Sequence, residues 1–192
     1  MNEQRAANKG GRGARQRILD AAAELFYLEG INATGVERLA AKSSVSKRTL
    51  YQHFPSKTAV VEEYLRSIEE RVAQIAPPQD DKTPRQRLLA VFDRSFEPGA
   101  AFRGCPFHNA AVEAAGTMPG VHDIVRMSKL SFADRLTELA EQAGAAEPRQ
   151  LGNQLAVLYE GAGALATSLD DPAPWARAKK AAEVLIDHAL GA

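Results

Sequence analysis

ATGVERLAAKSSVSKRTLYQHFPSKTAVVEEYL, residues 33–65, is the stretch that decides the fold. Thr34 followed three residues later by Glu37 has the spacing of a capping box, in which each side chain satisfies an orphan amide of a new helix. The helix it opens would turn Val36, Leu39 and Ala40 inward and end at Ser43-Ser44. Ser46 is placed to cap a second short helix reaching to about Gln52. Ser56 is placed to cap a longer one carrying Val60, Val61, Tyr64 and Leu65. Helices of two turns do not stand alone in water, so the two short ones must pack on longer neighbours. Two short helices joined by a tight turn form the outline of a helix-turn-helix over about residues 35–54.

The second short helix carries the chemistry. With Val45, Leu50 and Phe54 turned to a core, Lys47 and Tyr51, and Arg48 and Gln52, each four apart, share the opposite face. That face holds two cations, an amide and a phenol, and no acid lies between Val45 and Val61. Lys and Arg can bond guanine O6 and N7, Gln can bond adenine N6 and N7, and the major groove admits a helix. The competing reading is an ordinary solvated face, which would carry charges of both signs.

Upstream, Ile18, Ala22, Leu25 and Phe26 recur at helical spacing, and Gly30 closes that helix as a C-cap residue. Residues 1–12 lack apolar periodicity and read as a flexible basic arm, with Arg5, Lys9 and Arg12 followed by Arg15. The net charge is zero, but it is unevenly spread: residues 1–60 hold 10 Lys/Arg against 5 Asp/Glu, and residues 61–192 hold 14 against 19. A basic front on a neutral chain invites a polyanion; a basic tail with no partner is the alternative.

Downstream, Ala76-Pro77-Pro78-Gln79-Asp80-Asp81 breaks the pattern and is the best linker in the chain. Helical stretches then recur over roughly 83–97, 106–115, 119–144, 148–169 and 173–190, with Pro84, Pro106, Pro119, Pro148 and Pro172 or Pro174 near their starts. Aromatics make up only 6% of the 192 residues and alternating β-branched runs are missing. The expected class is therefore all-α, with about nine helices. A hydrophobic fraction of 45% supports a core. No run of about 18 apolar residues is present, so no membrane span is expected. A single cysteine, Cys105, rules out an internal disulfide and fits a reducing cytoplasm.

Ala33-Thr34, Leu39-Ala40, Val45-Ser46, Leu50-Tyr51, His53-Phe54 and Ser56-Lys57 stand in the register of the DNA-binding domain of TetR-family regulators, which residues 13–72 strongly resemble. The helix from Arg17 to Leu28 is similar to that family's first helix. The resemblance implies that Thr34, Tyr51, His53 and Lys57 contact phosphates, and that Lys47, Arg48 and Thr49 lie nearest base edges, with Ser46 and Gln52 beside them. It further implies that residues 73–192 form a ligand-binding and dimerisation domain. Two departures from the family pattern stand out. Ser44 occupies the turn position where Gly is usual, and a left-handed backbone there would cost about 1 kcal/mol. Arg48 stands where many members have Gly, and its length changes what the helix can reach.

In the second domain, Gly104-Cys105 with Asn109-Ala110-Ala111 and Glu113 resembles a stretch found in one branch of the same family. Cys105 has three readings: a small packing residue, a thiol sensor near a helix start with His108 three residues on, or a metal or nucleophile site lacking its other ligands. Phe92, Phe96, Phe102, Phe107, Met118, Met127, Phe132 and Tyr159 lie on helices that the family uses to enclose a ligand, with His108, Asn109 and Glu160 as polar anchors; each aromatic could equally be core. Two apolar stripes are expected to pair with their copies in a homodimer. One comprises Gln154, Leu155, Leu158, Tyr159, Ala162, Leu165, Ala166 and Leu169, the other Trp175, Ala178, Ala182, Leu185, Ile186 and Ala189. Burial within one chain is the alternative.

The expected function is a repressor released from a palindromic operator in double-stranded DNA by a small hydrophobic effector, with a thiol-based redox or electrophile sensor at Cys105 as the alternative. No cofactor and no metal are expected. A Gly-rich phosphate loop, a nucleophile–base–orienter set and a two-carboxylate site are all missing from the sequence, which argues against an enzyme.

Overall fold

The computed structural model describes residues 12–74, 81–94, 103–114 and 116–191. The basic arm up to residue 11, most of the 76–81 linker, Phe96 and Phe102 lie outside them. Among the described residues there are nine helices and no strand. In chain order they are α1 (Arg12–Leu28), α2 (Val36–Lys42), α3 (Lys47–His53), α4 (Lys57–Gln74), α5 (Pro84–Ala90), α6 (Pro106–Ala114), α7 (Pro119–Ala143), α8 (Pro148–Leu169) and α9 (Ala173–Leu190). Four of them begin on a proline, where the missing N–H would have had no helical partner. No described helix is long and apolar enough to cross a membrane.

Packing divides the chain into two compact units. The first combines Met1–Ile75 with Pro106–Val125, and the second combines Ala76–Cys105 with Arg126–Ala192. A linear division near residue 72 therefore differs from the packing, which places α6 and the start of α7 with the N-terminal helices. The contacts responsible are specific. The Glu113 carboxylate accepts the Asn32 backbone N–H at 2.8 Å, and the Asn32 amide donates to the Glu113 carbonyl at 3.0 Å. Gly30, at φ +96°, leaves room for that carboxylate; a Cβ there would sit 3.0 Å from its oxygen.

The first unit is built on Ile18, Leu25, Phe26, Leu39, Leu50 and Leu65, all buried. Phe26 meets Tyr64 edge-on at 5.5 Å, and the Arg15 guanidinium lies over the Phe54 ring at 5.4 Å. Between α2 and α3 the chain turns through Ser44 at φ +53°. The Ser44 N–H donates to the Ala41 carbonyl at 3.2 Å and the Val45 N–H to the Ala40 carbonyl at 3.0 Å, which is the Schellman termination of a helix. Helix α7 ends the same way, the Gly144 N–H donating to the Glu141 carbonyl and the Ala145 N–H to the Ala140 carbonyl, with Gly144 at φ +83°.

The capping box expected at Thr34 and Glu37 does not form. The α2 N-cap is Gly35, with no side-chain bond, because the Thr34 hydroxyl turns inward and donates to the Gly30 carbonyl at 2.7 Å. A reciprocal capping box occurs instead at Thr83 and Gln86, where it opens α5. That helix is shorter than the expected 83–97: it ends at Ala90, and Phe92 and Asp93 take the tighter three-residue bonds of a terminal turn.

The second unit packs α8 against α9, with Leu88, Leu136, Leu151, Leu155, Trp175 and Ile186 in its core. At Gly152 helix α8 approaches α7 so closely that a Cβ would lie 2.7 Å from the Thr137 backbone nitrogen. Phe132 and Trp175 flank Tyr159 at ring separations of 4.8 and 4.9 Å, and Phe92 meets the same ring at 6.1 Å.

Candidate nucleic-acid interface

Helix α3 exists because its ends are tied and one side is anchored. The Ser46 hydroxyl accepts the Thr49 N–H at 3.0 Å at one end, and the Phe54 N–H donates to the Leu50 carbonyl at the other. Leu50 is fully buried and Phe54 nearly so. The opposite face is thereby turned outward: Lys47, Arg48, Tyr51 and Gln52 are all exposed, Tyr51 at 47%. Tyr51 thus stands in solvent beside two cations, where it is free to meet a partner. Thr49 is half-buried, its hydroxyl 2.9 Å from that of Ser46. His53 is half-buried at the end of α3.

Lys57 is the first residue of α4, whose opening turn the Ser56 hydroxyl caps by accepting the Ala59 N–H at 3.1 Å. Partial burial holds its ammonium below the usual lysine range, with Glu113 working against that shift. Thr34 departs from its expected phosphate-contacting role: it is completely buried and its hydroxyl is used inside the fold. It therefore supports the turn before α2 and has no path to a phosphate in this conformation.

One contact of the α3 face was not foreseen. Glu37, on the first turn of α2, reaches across the turn, and its carboxylate accepts from the Lys47 ammonium. The contact raises the Lys47 pKa and lowers that of Glu37. The absence of acids from residues 45–61 is a local property of sequence; the fold supplies one from a neighbouring helix. The ten-residue separation of Glu37 and Lys47 on two helices left no sequence signal for the pair.

The described residues expected to line a ligand pocket are divided between the two units. Phe92, Phe132, Tyr159 and Trp175 cluster in the second unit. Phe107 is buried on α6, His108 is exposed there, and Met127 is 58% exposed on α7. Beside the aromatic cluster lies an open cleft of about 780 Å³ lined by Phe92, Asp93, Arg94, Asp171, Trp175 and Lys179. Arg94 lies over the Trp175 ring at 5.6 Å, and the buried Trp175 N–H has no hydrogen-bond partner. The sequence reading did not include Trp175 in the pocket, because its apolar spacing marked it only as part of a stripe.

Cys105 is half-buried. Its sulfur lies 3.4 Å from the Lys129 ammonium, which also donates to Glu160 at 2.6 Å. Burial acts to lower the Lys129 pKa, but Cys105 and Glu160 together outweigh it and the net shift is upward. Among the described residues, no three His, Cys, Asp or Glu side chains gather to hold a metal.

The expected dimer stripes fall largely inside the second unit. Leu155, Ala162, Ala166, Trp175, Ala178, Ala182 and Ile186 are buried against their own chain. Leu165 and Leu169 of the first stripe stay exposed, as do Val157 on α8 and, at 69%, Val184 on α9.

A capped, outward-facing recognition helix set on a small helical unit, followed by a second helical unit, defines a helix-turn-helix DNA-binding protein. The chain belongs to the TetR family of bacterial transcription regulators: residues 18–64 match "Bacterial regulatory proteins, tetR family" and residues 84–182 match "Tetracyclin repressor-like, C-terminal domain". It is similar to a TetR-family transcriptional regulator from Streptomyces coelicolor, with 32% identity and a TM-score of 0.77 over 93% of this chain and 96% of that one. It is 36% identical over 43% of its length to the transcriptional activator FasR of Mycolicibacterium smegmatis, and 42% identical over 30% to the transcriptional repressor KstR2 of Rhodococcus jostii. These two matches span only 39% and 28% of the respective relatives. The family is one of DNA-binding regulators that act as dimers on operators and respond to small-molecule effectors, and its members are not enzymes.

Proposed function

We propose that this chain represses transcription as a homodimer on a palindromic operator and is released by a small, largely apolar effector. The observation that carries the reading is the outward face of α3, where Lys47, Arg48, Tyr51 and Gln52 are exposed while Leu50 is fully buried. Two copies held about 34 Å apart would enter successive major grooves. The open faces of α8 and α9, with Val157, Leu165 and Val184, supply the surface through which the copies meet. The effector acts by binding better to a conformation with the wrong spacing, and shifts the equilibrium only by that difference in affinity. The Trp175 cleft is the effector site favoured by its volume and its aromatic wall. A protein of this kind works in the cytoplasm.

Titrating the intergenic DNA upstream of the gene, by fluorescence anisotropy at low salt, tests the reading. Specific binding by a dimer is expected, and a folded dimer that gives no shift refutes it. Tyr51→Ala and Lys57→Ala weaken binding to all DNA alike, whereas Arg48→Ala also relaxes sequence preference. If all three variants behave the same on specific and scrambled duplexes, the roles are misassigned. A thiol-based sensor at Cys105 is a second reading; only the Lys129 contact favours it, and the comparisons give it no support. Unchanged release by peroxide in Cys105→Ser eliminates it.

A further inference from the structure

We propose that Glu37 and Lys47 act as one unit that reads a single G·C base pair, making Glu37 a specificity-determining residue contributed by α2 and not by the recognition helix. The inference rests on the helix-turn-helix reading above.

The ion pairs of the first unit sort into two groups. Arg15–Glu63, Arg38–Glu29, Lys42–Glu24, Arg66–Glu62 and Arg66–Glu63 involve no residue of α3. Lys47–Glu37 is the one ion pair among the described residues that includes a side chain of the α3 outer face. Both partners are well exposed, with side-chain accessibilities of 53% and 73%, so the pair stands free of the core. Arg48, the neighbouring cation, has no acidic partner among the described residues. A lone lysine on the face would favour any phosphate or any guanine. A lysine with a carboxylate in contact presents a donor and an acceptor side by side.

The major-groove edge of a G·C pair offers the complement of that arrangement. Guanine N7 and O6 accept, and the cytosine N4 amino group next to them donates. Lys47 bonds the guanine and Glu37 accepts from the cytosine, so the two ends separate only as far as the edge of one base pair requires. An A·T pair presents acceptor, donor, acceptor where G·C presents acceptor, acceptor, donor, so with Lys47 across the first two positions the ammonium meets the adenine amino group and the Glu37 carboxylate faces thymine O4 and is repelled, as it is by phosphates. Glu37 thus penalises binding at wrong sites, which a face made only of cations cannot do. Lys47 in turn neutralises Glu37 in the free protein, so the acid does not drive the helix away from the polyanion during approach.

The test is selection of duplexes from a randomised library by wild type, Glu37→Ala, Lys47→Ala and the double variant, each checked for unchanged melting and dimer content. Wild type is expected to fix G·C at one position per half-site, with a preference over A·T of roughly ten-fold or more, the size of a good direct base contact. Glu37→Ala is expected to lose that preference, to about two-fold, at that position alone while the rest of the motif persists. It should also bind scrambled duplex more tightly. The double variant should lose no more discrimination there than either single, the signature of coupled residues. If Glu37→Ala selects the wild-type motif at every position, or if the two single effects add, the proposal is overturned. If wild type itself selects no motif, the fault lies in the DNA-binding reading.

Discussion

Replacing Ser44 with glycine should stabilise the protein. Ser44 sits in the left-handed region at φ +53°, where its Cβ crowds the backbone. For a residue other than glycine this conformation costs about 1–2 kcal/mol. The backbone bonds that require it, Ser44 to Ala41 and Val45 to Ala40, are present at ordinary lengths, so the geometry is imposed by the helix end and not by the side chain. The side chain is exposed and its hydroxyl takes no hydrogen-bond partner among the described residues, so nothing is lost by deleting it. Glycine brings its own penalty, about 0.5–1 kcal/mol of extra chain entropy in the unfolded state. The difference leaves a net gain of about 0.5–1 kcal/mol, or roughly 1–4 °C in Tm for a chain of this size. Gly144 is the internal reference, since it holds the same turn position in the matching pair of bonds (Gly144 to Glu141, Ala145 to Ala140) at φ +83° without a side chain. Differential scanning calorimetry of Ser44→Gly and Ser44→Ala separates strain from hydroxyl chemistry. The glycine variant should melt higher and the alanine variant close to wild type, with DNA affinity unchanged in both. A glycine variant that melts at or below wild type refutes the reasoning, because strain in the turn would then not be relieved by removing the Cβ.

Thr34→Val should destabilise by about 1 kcal/mol in urea titration, through loss of the hydroxyl bond to the Gly30 carbonyl; its DNA affinity should fall no further than stability explains, whereas a direct phosphate role would lower affinity in a fully folded protein. Gly152→Ala should cost more than about 2 kcal/mol, because its Cβ would press on the Thr137 backbone, which cannot swing aside as a flexible side chain would; a soluble variant melting within a degree or two of wild type would contradict the close helix crossing. Lys129 gains charge stabilisation on folding, so its folded pKa is raised above the ordinary 10.5. The stability it adds is complete below that ordinary value and fades as pH rises through the raised one. Lys129→Met should therefore flatten the alkaline side of the stability–pH curve, and an unchanged curve would dismiss the Cys105–Lys129–Glu160 cluster as a stabilising contact.

The parts of the fold that were legible in the sequence were those governed by local rules. Prolines marked four helix starts, Gly30 marked a helix end, and Ser46 and Ser56 marked caps, because each of these effects is decided within a few residues. The burial of Leu50 and Phe54 followed from helical spacing alone. Misreadings arose where two local options were chemically equivalent. The Thr34 hydroxyl could bond forward to the α2 amides or back to Gly30, and only the packing of α1 against α2 selects the second. The apolar stripes of α8 and α9 were visible, but spacing could not say whether each faced its own chain or a second copy. Trp175 is buried in its own chain, whereas Val184 on the same helix is exposed.

The placement of α6 has a consequence for how a signal can reach DNA. Residues 84–182 match the C-terminal domain of the family, yet α6 packs in the unit that carries the helix-turn-helix. Its Glu113 holds the Asn32 backbone from one side, and its carboxylate also influences Lys57 at the start of α4. The turn it holds spans Gly30 to Thr34, and Thr34 is itself bonded back to Gly30, so the entry to α2 has little freedom of its own. A shift of α6 along its axis would therefore have to break the Glu113–Asn32 bonds or carry the α1–α2 turn with it. The second outcome moves Glu37, which α2 carries, relative to Lys47 on α3. On the proposed reading, an effector that displaced α6 would alter what the recognition helix reads without touching it.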